Sequence, residues 1–378
     1  MSSEVALADR LEIPAATRRL IDQYQASARL ALMSSIPTGE PRNYLYDLLP
    51  SYPERSGKGL RPLLCLAACE AYGGTSDEAM PFAVAIEMMH NAFLVHDDIQ
   101  DGSTQRRGKP ALHIQHGVPL ALNTGDALAF AANSVLVRAA RALGSDVSAV
   151  LFDRWERTMR ETLEGQALDL GWQRDNVDNL ALDDYLAMAG KKTAWYTTIL
   201  PLAFGVLVGS RRARSVDDLF GFGWMLGLMF QIANDIAGLE ASSSDIEASS
   251  SDIEASSDIE ASSDIEEGKR TILIVHLLGA LPRDDRAELV RIMGLPRIER
   301  GAREVAWVGA RIAEYHSSEY AHACLYGLAG AAMRQAEMAF DAVPDSPARD
   351  VLLSTTSYVM EREGLLGEAR SPCRNPSV

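Results

Sequence analysis

The sequence predicts an all-α protein, a bundle of many helices, and three observations carry that prediction. Long runs rich in Ala, Leu, Met, Glu and Arg repeat apolar residues at helical spacing. Regular turn-punctuated strand patterns are scarce beside them. The runs are separated by Gly and Pro clusters that end helices and start new ones. At 378 residues and 47% hydrophobic content the chain can bury a large core, so one main domain over residues 41–365 is expected.

Residues 1–40 read as a leading helical extension of one or two helices, broken by Pro37, Gly39 and Pro41 before Tyr44. Gly73-Gly74, Gly108 to Pro110, Gly117 to Pro119 and Gly144-Ser145 divide the next helices, and Gly209-Ser210 and Pro282 divide the later ones. The first residues mix acids and bases ahead of any long apolar run, so no secretory core is read there. Ile199 to Gly209 is apolar but far short of the roughly 20 residues a membrane span needs. Cys65, Cys69, Cys324 and Cys373 show no zinc-type pairing, and Cys65 and Cys69 fit one apolar helical face, so a reduced cytoplasmic protein with no stable membrane insertion is expected. Residues 366–378, which include SPCRNPSV, read as a disordered tail.

The net charge is −16, which argues against a nucleic-acid partner. The acidity is local: Glu240 to Glu267 holds ten acids and no Lys or Arg, leaving only −6 on the rest of the chain. Within that stretch, Ser242 to Glu267 runs SSSDIEA, SSSDIEA, SSDIEA, SSDIEE. One Ile per repeat cannot build a core, so an acidic spacer loop over 242–267 is expected in preference to a metal-attracting lid.

The sharpest chemical signal is HDDIQD, which closes the apolar stretch from Ile86 to Ile99. On a helix Asp97 and Asp101 lie one turn apart on one face, with Asp98 on the flank. Three such carboxylates repel one another, and no Lys or Arg stands in the preceding turns, so a cation should neutralise them. Magnesium suits, because it takes one or two carboxylates and fills its octahedron with water and phosphate oxygens. A second polar island, Asn234 and Asp235 with Gln231 one turn earlier, interrupts the apolar stretch from Phe222 to Ile236. It can hold another magnesium or its water shell, or form a buried hydrogen-bonded pair. The bases cluster as GKGLRP (Lys58, Arg61), RRGK (Arg106, Arg107, Lys109), KKT (Lys191, Lys192, Thr193) and EGKRT (Lys269, Arg270, Thr271). Alternating with acidic magnesium candidates in an acidic protein, they fit a site for two diphosphates. Met89, Ala92 and Phe93 precede the acidic run, with Phe93 and Met89 about 6 and 12 Å below Asp97 along the axis at roughly 1.5 Å per residue. They are candidates for the floor of a tunnel.

These motifs, together with NTGDAL, EGQALDL and SYVMER in the same order and spacing, resemble the trans-type isoprenyl diphosphate synthases over most of residues 45–365. The resemblance implies an antiparallel bundle around a deep central cavity, commonly a homodimer, that extends an allylic diphosphate with isopentenyl diphosphate using Mg2+. It implies Asp97, Asp98 and Asp101 as ligands of magnesium on the allylic diphosphate, joined by Asp235, with Asn234 at a potential ligand position. It further implies Arg106 and Lys269 on the allylic diphosphate, and Lys58, Arg61, His90 and Arg107 on isopentenyl diphosphate. Lys192, Thr193 and Gln231 would line the reacting end. Similarity around KKTAWYTTI points to a C20 product, geranylgeranyl diphosphate, ahead of C15.

Two departures stand out: the family usually has Asp at the position of Asn234, and a further Lys in the segment that here holds the Lys-free repeat. They keep two rivals in view, a class I terpene cyclase on the same scaffold and a catalytically weak regulatory subunit. A cyclase would want a Glu where Ser242 stands and has no need of Lys58, Arg61 and His90.

Overall fold

The computed structural model describes residues 12–55, 57, 59–211, 213–244 and 264–365. It is 79% helical, in agreement with the all-α expectation. The chain runs through α1 (Ala15–Ser35), α2 (Leu60–Ala71), α3 (Ser76–Asp101), the two-residue strands β1 (Gln105–Arg106) and β2 (Lys109–Pro110), and α4 (Leu112–His116). It continues through α5 (Val118–Arg141), α6 (Ser145–Arg174), α7 (Leu182–Ala189), a π-helix (Gly190–Ile199) and α8 (Leu200–Gly209). The remaining helices are α9 (Phe220–Ser244), α10 (Asp264–Glu267), α11 (Ile272–Ala280), α12 (Arg283–Met293), α13 (Ala302–Glu314), α14 (Ser317–Phe340) and α15 (Pro347–Arg362).

At the centre stands α2, apolar but for Arg61 and Glu70 and buried at every position but Glu70. Such a helix must be enclosed by others, and it is, by α1, α3, α8 and α15. The leading segment is therefore not an appendage: α1 presents Ile21, Tyr24, Ala28 and Leu32 to this core from one stripe.

The site is positioned by three features. First, α3 begins in a capping box between Thr75 and Glu78, which satisfies orphan N–H groups at its start. It stops at Gly102, whose left-handed backbone (φ 64°) turns the chain back just after Asp101. Second, β1 and β2 pair as a small antiparallel hairpin that carries Arg106 back toward the end of α3. Third, the KKTAWYTTI segment winds as a π-helix between α6 and α9, and α6 approaches it so closely that a Cβ at Gly165 would lie 2.2 Å from the Lys192 amide nitrogen. Glycine is required there because only a bare backbone permits that approach.

The repeat begins and ends differently from the expected loop over 242–267. The backbone of α9 stays helical through Ser244, and Asp264–Glu267 forms a helical turn. Ile265 and Glu267 of this last repeat unit are buried, because the turn docks against α9 and α13. Residues 245–263, and with them most of the repeat, lie outside the described residues, as does the tail 366–378. Val118–Arg141 and Asp217–Leu239 have the length and apolarity of membrane spans, but 67% of the second window is buried inside the protein, so its apolarity is accounted for by packing.

Candidate active site

The ends of α3, α6, α9 and the π-helix, with the segment after α10, enclose a cavity of about 250 Å³. Arg61, His90, Asp97, Arg106, Arg107, Lys192, Thr193, Gln231, Asn234, Asp235 and Lys269 all line it. Residues expected from segments some 200 positions apart thus meet at one place. Lys58 lies outside the described residues, between Gly57 and Gly59.

The first acidic run is already matched by bases of the chain. Asp98 is fully buried, accepts from Arg106 Nε at 2.9 Å and from its Nη2, and accepts the Tyr52 hydroxyl on its other oxygen. It is not among the residues lining the cavity. Asp101 is likewise not among the lining residues, and Asp98 lies on the expected flank of α3, where the hairpin returns Arg106. The base that neutralises it follows in sequence and does not precede it. Asp97 does face the cavity, where Gln166 Nε2 donates to it at 3.1 Å and Lys192 Nζ and Arg106 Nη2 stand 4.0 and 3.9 Å away. Burial raises its pKa, but Lys192, Lys269 and Arg106 outweigh that and hold it below the usual range. Asp101 pairs with Lys269 Nζ at 2.9 Å, and burial followed by the neighbouring Asp97 charge pushes its carboxyl upward.

The opposite wall on α9 is built from neutral donors. Asp235 accepts from the Tyr185 hydroxyl at 2.8 Å and the Ile272 amide at 3.1 Å on one oxygen, and from Gln231 Nε2 at 2.8 Å on the other. Thr193 in turn donates to Gln231 at 2.5 Å. Burial raises the Asp235 pKa despite these bonds.

The bases divide into two groups. Lys192 pairs with Asp169 at 2.6 Å, and although burial disfavours its charge, Asp169 and Asp97 hold it protonated. Lys269 contacts Asp101, Asp264 and Glu267, which likewise outweigh its burial. On the other side Arg61 donates to the Tyr196 hydroxyl and Thr197, at 3.1 and 3.0 Å, and stacks over the Tyr196 ring. His90 lies beside that ring, and burial together with Arg61, Arg107 and Arg106 pushes its imidazole far below its ordinary pKa. This end is cationic with a neutral imidazole at its centre, which suits an incoming diphosphate.

The expected floor residues sit lower than the cavity. Met89 and Ala92 are buried in the core, and Phe93 packs edge-on against Tyr196, which lines the cavity in its place. Sequence reasoning also left Gln166, Asp169, Tyr52, Tyr185, Asp264 and Glu267 without roles. Gln166 and Asp169 stood within the quoted EGQALDL motif, and a carboxylate three residues from a glutamine on one helix was the available signal. The tyrosines gave none, since a lone Tyr in an apolar run reads as core.

The donor set is entirely oxygen, as a hard divalent cation requires. Among the described residues no three His, Cys, Asp or Glu side chains converge to hold a metal. An ammonium, that of Lys269, stands against Asp101, Asp264 and Glu267, which marks this edge of the site as favouring a cation.

The profile of the polyprenyl synthetase family matches residues 42–306. Geranylgeranyl diphosphate synthase of Sulfolobus acidocaldarius is 33% identical over 266 residues, covering 70% of this chain and 76% of that one. Short chain isoprenyl diphosphate synthase of Methanothermobacter thermautotrophicus is 33% identical over 309 residues, covering 81% and 87%. The crystal structure of geranylgeranyl pyrophosphate synthetase from Pyrococcus horikoshii superposes with a TM-score of 0.75 at 28% identity, over 91% of this chain and 98% of that one. A Corynebacterium glutamicum geranylgeranyl pyrophosphate synthase of the same fold (TM-score 0.76, 22% identity, 90% and 99% coverage) was solved with isoprenyl diphosphate and magnesium. With carboxylates and two sets of bases lining one cavity, and with these matches, the chain belongs to the polyprenyl synthetase family, the trans-isoprenyl diphosphate synthases, and is a trans-prenyltransferase.

Proposed function

We propose that this chain condenses isopentenyl diphosphate with an allylic diphosphate in the presence of Mg2+ to form geranylgeranyl diphosphate. The observation that carries the reading is the division of the bases: Lys192 and Lys269 stand among carboxylates, while Arg61, Arg107 and the neutral His90 form a separate cationic end. Two diphosphates of different roles need two such ends. A cyclase needs only the first, and a silent subunit needs neither.

Asp97 and Asp101, with Asp235 across the cavity, would hold magnesium together with diphosphate oxygens. Bound there, the metal would offset the charge that develops on the departing pyrophosphate. Asp98 acts as a positioning residue: it holds Arg106 toward the allylic diphosphate through the pair described above. Arg106, Lys192 and Lys269 stabilise the leaving group as the allylic C–O bond breaks, and this preorganised charge is the largest contribution expected. Arg61, His90 and Arg107, with Lys58, hold isopentenyl diphosphate so that its double bond faces the allylic carbon. The isopentenyl double bond attacks the allylic cation left when the C–O bond breaks, forming the new C–C bond, and the proton lost from the adduct passes to pyrophosphate oxygen. Thr193 and Gln231 orient the reacting end through their hydrogen bond.

Phe93, set beneath Tyr196, serves as the stop for the growing chain, with Met89 and Ala92 below it. Phe93→Ala should lengthen the main product by at least one isoprene unit, and an unchanged product distribution from a folded, active variant would place the stop elsewhere. The exposed apolar residues Val118, Leu122 and Phe130 of α5 support a homodimer through that helix. Incubating the purified chain with isopentenyl diphosphate, dimethylallyl diphosphate and Mg2+ tests the whole reading. A C20 diphosphate supports it, whereas a cyclic hydrocarbon or no product overturns it.

A further inference from the structure

Lys269 is central to the reaction proposed above, yet no helix holds it. It projects from the link between α10, a single helical turn, and α11. A lone turn is marginal by itself, and a functional group on a link is placed less accurately than one on a long helix. Part of what fixes Lys269 is local. Its amide donates to the Asp264 carbonyl at 3.0 Å and the Gly268 amide to the Ile265 carbonyl at 3.1 Å, with Gly268 in left-handed backbone at φ 80°, the pattern that closes a helix C-terminus.

The rest comes from a segment that belongs to none of the motifs. Between α12 and α13 the chain makes a 3-10 turn, Arg297–Glu299, followed by Arg300. Arg300 is buried, and its guanidinium donates to the carbonyls of Ile265 at 3.0 Å, Glu266 at 2.5 Å and, within its own segment, Leu295 at 2.5 Å. It packs directly on the bare Gly268, where a Cβ would stand 2.7 Å from Nη1. Three residues earlier, Arg297 donates to the backbone carbonyl of Asp101, the last residue of α3, and stands 3.5 Å from Glu267, which in turn pairs with Lys269. The two arginines therefore bridge the end of α3 to the turn that precedes Lys269, and the 2.9 Å pair of Lys269 with Asp101 spans the same gap on the cavity side. Neither arginine lines the cavity.

We propose that Arg297 and Arg300 form a brace that positions Lys269 for the departing diphosphate without touching substrate. The inference rests on the role given to Lys269 above and adds the residues that hold it in place. Arginine suits this task because its planar fork reaches two carbonyls at once, which a lysine ammonium on a flexible stem does not.

The test is a double-mutant cycle on the condensation of dimethylallyl and isopentenyl diphosphates by the full chain with Mg2+. Arg300→Ala should lower kcat about tenfold, less than the roughly 10²-fold that a displacement of about 1 Å can cost. The KM for isopentenyl diphosphate should stay within about twofold, because the Arg61, His90 and Arg107 end is unaltered. Lys269→Ala should itself lose about 10²-fold in kcat, and in that background Arg300→Ala should cost less than about twofold more. Arg300→Lys keeps the charge without the fork and should behave as Arg300→Ala does. Arg297→Ala, at the partly exposed member of the pair, should lower kcat about threefold with the same dependence on Lys269, and it carries the test if Arg300→Ala does not fold. Parental kcat in the folded variant overturns the brace. So does a loss of equal size with and without Lys269, since that is a structural effect unrelated to this side chain. Lys269→Ala at parental kcat overturns instead the role of Lys269 in the reaction, and the brace with it.

Discussion

The two acidic walls solve the same problem by opposite means. At the end of α3 each carboxylate meets a full positive charge: Asp98 meets Arg106, Asp101 meets Lys269, and Asp97 faces Lys192 and Arg106. On α9, Asp235 meets only neutral donors, a tyrosine, an amide side chain and a backbone N–H. Of the first wall, Asp97 is held below the usual carboxylate range, where Lys192, Lys269 and Arg106 outweigh its burial, whereas burial raises Asp98 and Asp101 beside it as it raises Asp235 across the cavity. Charge matching makes the first wall tolerant of an empty site, because its protein cations stand in. Hydrogen bonding makes the second wall rigid and fixes Asp235 where it lines the cavity.

The largest expected effect separates Asp97 from its neighbour. Asp97→Ala should lower kcat by about 10³-fold, about 4 kcal/mol of barrier, because the residue faces the cavity and Lys192 keeps its Asp169 partner. Circular dichroism should be unchanged, and kcat within tenfold of the parent would break the contrast between the walls.

Asp98→Ala acts instead on stability. It strands the Arg106 guanidinium and the Tyr52 hydroxyl, and removing one partner of a buried pair costs about 3 kcal/mol. Urea unfolding measures it. A variant as stable as the parent yet inactive would return Asp98 to the role of ligand.

A smaller effect comes from the cationic end. His90 is buried and neutral, with its folded pKa depressed well below the unfolded value of 6.5. Its contribution to stability is thus fully present above pH 6.5 and is lost as pH falls below it, by up to about 1.4 kcal/mol per pH unit. Because Asp101 and Asp264, raised to about 6 and 7, gain stability over the same range, the His90 effect is read as a difference: as pH falls from 6.5 to 5.5, the stability of His90→Gln should rise relative to that of the parent. A stability difference between parent and variant that does not change over that range would show that His90 is not held neutral.

The smallest effect is expected from the repeat. Deleting Ser249 to Ala261 leaves Asp264, Glu267 and Lys269 in place, so activity should stay within about twofold. A larger loss from a folded deletion variant would give the repeat itself a role.

Much of this was legible without coordinates, and particular residues show why. Helical periodicity and Gly and Pro punctuation determine the all-α class, because they act over a few residues. The spacing of Asp97 and Asp101 determines that the two share a helix face, since 3.6 residues per turn is local geometry. The order of the motifs determines the family. Only the tertiary structure decided which charges meet. Arg106 returns to Asp98 because a hairpin reverses the chain, Lys192 meets Asp169 because Gly165 lets α6 touch the π-helix, and Asp264 fits α9 because Gly238 is bare. Such pairings join separate elements through space, and no period or spacing along the chain encodes them.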